Sequence, residues 1–389
     1  MNNQVRVVGR PEGVNVPEVA GREPSRGMAV GLCLAIAAAL WGASALLRDK
    51  PPIAQGVGAW IGLAELILRD TLIAGCMLAI GIAVSCVAYR WFRPLERWFF
   101  GCGRARFLGV AAVVSVATGA CLSYFGLGGV PHIPDEVAML FQAKNFAHGQ
   151  LYARAPSPDI LPFFNYEYIL ADGSKWYGKY CFGPSLVLVP GVWLGAPWLI
   201  NPVLGGVAAL LFYALGREFS GEKIGRIAAA AAAISPFRIA TFAVIMSHAG
   251  CLVLAALFVL HLVRAARAPD RYRHWMIAGL CLGLMVNFRP LTALAVAVPA
   301  GIGAAMLIEW RRLRAASAGS FVVPLAVGLT LFFAYNRVLT GDAMLTPFEK
   351  WAPTDRLGFG PDVGMPYWPA WDLSLIHISE PTRLLSISY

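Results

Sequence analysis

Pro134-Asp135-Glu136 sets two adjacent carboxylates just past an apolar run and opens the longest polar stretch of a chain that is 58% hydrophobic and 14% charged. Acids at the mouth of a membrane protein are costly to desolvate, so they face a water-filled cavity and do work there. A carboxylate within reach of an attacking hydroxyl can take its proton. The leading reading is therefore a membrane-embedded enzyme. A second reading makes Asp135 only the N-cap of a helix starting at Glu136, because Asp accepts readily from the free N–H groups of a first turn. Glu136 could likewise be a solvated first-turn acid favoured by the helix dipole.

The segment that the pair opens has to position it. From Asp135 to His148, the residues Met139, Leu140, Ala143, Phe146 and Ala147 fall along one helical face, with Asp135, Gln142, Asn145 and His148 mostly opposite. This spacing predicts a short helix lying in the membrane interface. Beyond it, Pro156, Pro158, Pro162 and Asp172-Gly173 are mixed with Phe163, Phe164, Tyr166, Tyr168, Trp176, Tyr177 and Tyr180. They predict an irregular loop rich in aromatics, which an interfacial belt would also explain.

The frame around this loop is a bilayer frame. Over 389 residues the mean hydropathy is +0.62, and soluble domains carry about 25% charged residues. Runs long enough to span the hydrocarbon occur near 27–47, 71–89, 107–125, 227–245, 247–263, 274–288, 291–309 and 318–336. The apolar region 182–216 is broken by Pro184, Pro190, Pro197 and Pro202. The expected fold is an all-α polytopic membrane protein with two N-terminal spans (27–90), a core over 91–336 and external loops at 126–181 and 337–372.

Loop charges set the sides. Residues 90–106 carry five Arg against one Glu, 264–274 four Arg against one Asp, and 309–314 three Arg against one Glu. The positive-inside rule makes these cytoplasmic. Residues 126–181 hold four bases against five acids and 337–372 three against five, so both are external. Between the external loop at 126 and a cytoplasmic loop at 217–226 the number of crossings must be odd, which favours one full span and a partial one within 182–216. Ser247-His248 and Asn287-Phe288-Arg289-Pro290 then come to external helix ends.

Several classes are set aside. The formal charge of +10 follows topology, and no basic patch with interleaved aromatics points to nucleic acid. Residues 1–26 lack the pattern of a cleavable signal and read as a disordered cytoplasmic tail. The eight cysteines show neither metal-ligand spacing nor a disulfide framework. His132, Asp135 and Glu136 lack a clear third and fourth ligand, so neither a metal nor another cofactor is expected. Leu373 to Arg383 looks like the in-frame translation of a sequencing-library adapter. Residues 373–389 are therefore left out of the fold reading, and the natural protein is expected to continue past Asp372.

An apolar helix, then Pro134-Asp135-Glu136, Leu140-Phe141-Gln142-Ala143 and Gly149-Gln150-Leu151, resembles the first external loop of the GT-C membrane glycosyltransferases. The nearest pattern is the family-39, or protein-mannosyltransferase-like, group in its bacterial members. Ser235-Pro236-Phe237, Met246-Ser247-His248, Arg289-Pro290-Leu291-Thr292, Tyr335-Asn336, Thr340-Gly341-Asp342 and Asp355-Arg356-Leu357-Gly358-Phe359-Gly360 extend the resemblance over roughly 107–372. One stretch departs from it: relatives open the next helix with Lys-Pro-Pro-Leu or Tyr-Pro-Pro-Gly, where this chain has Lys179-Tyr180-Cys181-Phe182-Gly183-Pro184.

The resemblance implies a GT-C-like helix bundle in a bacterial inner membrane. Its implied chemistry is inverting transfer of a hexosyl or pentosyl group from a polyprenyl-phosphate donor to a hydroxyl of a lipid, glycan or protein on the external face. Asp135 is the candidate base, and Glu136 would bind the acceptor or orient Asp135. Lys175, Lys179 and Arg289 would meet the departing lipid phosphate, with Arg suited to bidentate contact. His248 would hydrogen-bond sugar or phosphate. Arg238, two residues past Pro236 in an apolar run, either serves a function or pairs with a carbonyl freed at the proline. The alternative class is a transporter or flippase of lipid-linked saccharide, but no internal repeat of the kind transporters carry is found.

Overall fold

The computed structural model describes residues 34–40, 68, 71–82, 94 and 96–354, except 165 and 309. The expected tail at 1–26, much of the two N-terminal spans, the Asp355–Gly360 motif and residues 373–389 lie outside them. Contacts divide the chain into one unit of Met1–Arg93 with Ile378–Tyr389 and another of Pro94–His377. In the first, helical residues 34–40 and Thr71–Ile82 contribute Ala37, Cys76 and Ala79 to a small core.

The second unit begins its long helices with α1 (Arg104–Cys121), which runs on through a π-turn at Leu122–Gly126. Next come α2 (Pro134–Ala147), β1 (Ala153–Arg154), β2 (Ile169–Asp172), β3 (Lys175–Gly178), α3 (Phe182–Trp193) and α4 (Ile200–Ser220). Then follow α5 (Glu222–Ile234), α6 (Pro236–Ala243), α7 (His248–Arg267), α8 (Tyr272–Val286), α9 (Pro290–Leu307), α10 (Ala315–Thr340) and the one-turn α11 (Pro347–Trp351). Five helices among the described residues are long and apolar enough to cross a bilayer: Arg104–Gly126, Pro197–Ser220, α7, α9 and α10. Their outward faces suit lipid, as α9 shows: Leu291, Leu294, Val298, Ile302 and Met306 all remain exposed along it. The chain is an all-α polytopic membrane protein.

Two apolar runs resolve differently from the sequence expectation. The run at 227–245 is two helices, α5 and α6, broken at Ser235-Pro236. Proline has no N–H to give the carbonyl four residues back, which is that of Ala232. Arg238 fills the gap: its Nε donates to the Ala232 carbonyl, and its Nη2 donates to that of Ala233 at 2.9 Å. The Ser235 side chain caps α6. The run at 274–288 forms α8 with 15 residues, about 22 Å at 1.5 Å per residue. In 182–216, α3 has 12 residues and is about 18 Å long, while α4 has span length.

The loop at 153–178 is more regular than its prolines predict. β3 pairs antiparallel with both β1 and β2, giving the order β1-β3-β2. Gln142 ties α2 to this sheet, accepting from Gly178 N–H at 3.1 Å and donating to the Leu151 carbonyl at 2.7 Å. The polar side of α2 is therefore no solvated interfacial face. Gln142 and Asn145 are buried along with Ala138, Met139 and Ala143.

Candidate active site

Asp135 occupies the first turn of α2, but Ile133 is the N-cap and Pro134 the first helical residue, and no side-chain cap is made. The simple capping role for Asp135 is thereby removed. Its carboxylate accepts a hydrogen bond from the Tyr180 hydroxyl instead. Burial and the neighbouring carboxylate push the Tyr180 phenol far above its ordinary range, so it stays protonated and acts as the donor.

Asp135 lines a cavity of about 910 Å³ together with Lys179, Tyr180, Ser247, His248, Arg289 and Thr292. Tyr168, Phe288, Phe348 and Trp351 give this cavity aromatic walls. Four of the six residues singled out in the sequence are thus brought together. The other two are not. Glu136 is 2% exposed, and its Oε2 accepts the Ile245 N–H at 3.0 Å, behind the cavity wall. Lys175 lies on β3, where its Nζ donates to the Val338 carbonyl at 2.6 Å and faces the Tyr152 ring.

Arg289 is placed by the residues just before it. Asn287 closes α8 and donates through Nδ2 to the Gly283 carbonyl at 2.8 Å and across to that of Gly328 at 2.9 Å, which pins the turn to α10. Phe288 is wedged between Gly183 and Gly250; a Cβ on either glycine would collide with its ring, and one on Gly183 would also lie 2.6 Å from the Asn287 carbonyl oxygen. Pro290 then starts α9, leaving Arg289 as N-cap. Its Nη1 donates to Ser247 Oγ at 3.2 Å and lies 3.2 Å from His248 Nδ1, and its Nε reaches Thr292 Oγ1 at 3.3 Å. No described carboxylate forms an ion pair with it, and none of its described hydrogen bonds uses Nη2.

Ser247 and His248 depend on the short stretch between α6 and α7. Asn201 Nδ2 donates to the carbonyls of Val244 at 2.6 Å and Met246 at 3.0 Å, while Glu136 holds the Ile245 N–H between them. Lys179 is 4% exposed and sits in an aromatic enclosure, with Nζ 3.2 Å from the Tyr168 ring centre and 3.5 Å from that of Trp351. Trp351 is held by its indole N–H on the Glu167 carbonyl at 2.6 Å, and α11 by the reciprocal Thr346–Glu349 capping box. Burial pushes the Cys181 thiol up to about 12, which keeps this cavity-lining group protonated.

Sequence reasoning missed Tyr180 as the partner of Asp135 and Thr292 as a partner of Arg289. It read the Tyr168 and Tyr180 aromatics as loop or belt. The only sequence signal for Tyr180 was its place beside Lys179.

Chemically, the cavity offers two carboxylates, Asp135 with Tyr180 as its donor and Glu349 committed to the α11 capping box, beside the Lys179 ammonium and a guanidinium, Arg289, that forms no ion pair with a described carboxylate. Among the described residues no group of three or more His, Cys, Asp or Glu could hold a metal ion.

A family model described as dolichyl-phosphate-mannose-protein mannosyltransferase matches residues 195–336. Comparison with curated proteins and with solved structures gives no match. The matched stretch runs from the end of α3 to near the end of α10 and contains His248 and Arg289; Asp135, Glu136, Lys175 and Lys179 precede it. Over this helical core, which is less than half of the chain, the protein is similar to that mannosyltransferase family.

Proposed function

We propose that the protein transfers a sugar from a polyprenyl-phosphate donor to an acceptor hydroxyl, inside the Asp135–Arg289 cavity and on the external face of the membrane. Asp135 takes the hydroxyl proton as the oxygen attacks the anomeric carbon from the side opposite the phosphate, so the configuration inverts. The bond from that carbon to the phosphate oxygen breaks, and its electron pair leaves with the polyprenyl phosphate. Arg289 meets that growing negative charge, and His248 orients the same end of the donor. Lys179 adds positive charge from its aromatic enclosure. Tyr180 holds the Asp135 carboxylate in one orientation, and Glu136 acts as a positioning residue through Ile245.

The observation that carries this reading is the shared cavity. An acid freed from helix capping and an arginine with no carboxylate partner among the described residues line one space, in a chain with a mannosyltransferase-family core. Purified protein supplied with a polyprenyl-phosphate sugar and an acceptor should release polyprenyl phosphate and form glycosylated product. Movement of intact donor across the bilayer without that release would support the transporter alternative and refute the enzyme.

A further inference from the structure

A second charged cavity lies at the other end of α7 from His248. With 20 residues, α7 separates its two ends by about 30 Å, the thickness of the hydrocarbon layer. The far cavity, of about 320 Å³, is lined by Glu218, Arg264, Arg267, Arg271, Arg273 and His274, with Ala268. Four guanidinium groups face one carboxylate, so the lining carries a net charge of +3 before any contribution from the imidazole.

Glu218 is already committed. It accepts from Arg264 Nε and from Arg267 Nη1, both at 2.8 Å. Arg271 and Arg273 are exposed and make no ion pair with a described carboxylate. The turn that presents them is fixed, because the Pro269 carbonyl accepts from Trp275 Nε1 at 3.1 Å and from Ser317 Oγ at 2.7 Å. Next to the arginines, Tyr272, Met276 and Leu280 recur at every fourth position of α8 and are 39%, 49% and 42% exposed. Phe219, beside Glu218, is exposed as well.

A free anion would have no use for that apolar stripe. A membrane lipid needs both parts, a cationic cradle for its phosphate and an apolar track for a chain. We propose that this cavity binds the phosphate headgroup of an anionic lipid, with an acyl chain lying along Tyr272, Met276 and Leu280. The site is independent of the chemistry assigned to the Asp135 cavity.

The test uses the full chain in phosphatidylcholine nanodiscs doped with phosphatidylglycerol, with native mass spectrometry reading the lipid that stays bound. Phosphatidylglycerol is expected to be enriched on the protein. Arg271→Gln/Arg273→Gln should lower the enrichment about thirtyfold, each juxtamembrane arginine contributing about fivefold. Arg106→Gln/Arg311→Gln removes equal charge from exposed arginines outside the cavity and should change it less than about twofold. If the first pair proves unstable in pure phosphatidylcholine, Arg273→Gln alone carries the test with about a fivefold loss. Equal losses in both pairs would show diffuse surface charge and overturn the site. Retained enrichment in the first pair, or release of the bound lipid by inorganic phosphate, would overturn it too.

Discussion

Two arginines sit at two proline-marked helix breaks, and the breaks use them oppositely. At the α5–α6 break, Arg238 follows Pro236 and spends Nε and Nη2 on the backbone carbonyls of Ala232 and Ala233. At the α8–α9 break, Arg289 precedes Pro290 and, among the described residues, its guanidinium bonds only side chains, those of Ser247, Thr292 and His248, at the wall of a cavity. Arg238 mends the backbone that the proline interrupts. Arg289 is held at the cavity by a turn that Asn287 and Phe288 fix in place. An arginine in a membrane protein is therefore classified by the destination of its donors, and hydropathy alone does not distinguish the two.

The comparison can be broken by truncating each arginine. Arg289→Ala should lower sugar transfer by about 10²–10³, the loss expected when a donor to developing charge is removed, with thermal unfolding little changed. Arg238→Leu should do the reverse. One buried carbonyl, that of Ala233, and one half-buried carbonyl, that of Ala232, lose their donors at up to about 1–3 kcal/mol each, so the melting temperature and yield fall while turnover per folded molecule persists. A collapse of folding in Arg289→Ala, or of turnover alone in Arg238→Leu, would reverse the assignment.

A smaller effect is expected from the wedge. Gly250→Ala places a methyl against the Phe288 ring and should cost about 1–3 kcal/mol of stability by overpacking. Because Phe288 adjoins Arg289, donor binding should weaken as well. Stability lost with donor affinity intact would show that the wedge does not set Arg289.

The smallest change should come from Glu136→Gln, which keeps an oxygen to accept the Ile245 N–H. Transfer should stay within about tenfold of wild type, below the 10²–10⁴ typical of a lost general base. A loss as large as that of a true base would put Glu136 in the chemistry.

Much of this was legible in the sequence, for reasons that also mark the limits. Span-length apolar runs identify the long helices, and loop charge brings Asp135, Lys179, His248 and Arg289 to one side before any geometry is known. The different fates of Asp135 and Glu136 were not legible. Consecutive residues on a helix point about 100° apart, so one faces the cavity and the other the Ile245 backbone. Which of the two does so depends on packing. Lys175 and Lys179 look alike in sequence, but the β2-β3 pairing directs the first toward Val338. The strands themselves are two to four residues long, too short for alternation to show. The break in 227–245 had a visible proline, but only the structure shows Arg238 supplying the missing donors.

The central claim, that Asp135 is the base of a sugar transfer in the Arg289 cavity, is tested most directly by single-turnover transfer in Asp135→Asn beside wild type, with donor binding measured on both. The account predicts a rate lower by about 10²–10⁴ with donor still bound and the fold intact. An unchanged rate in Asp135→Asn would contradict it.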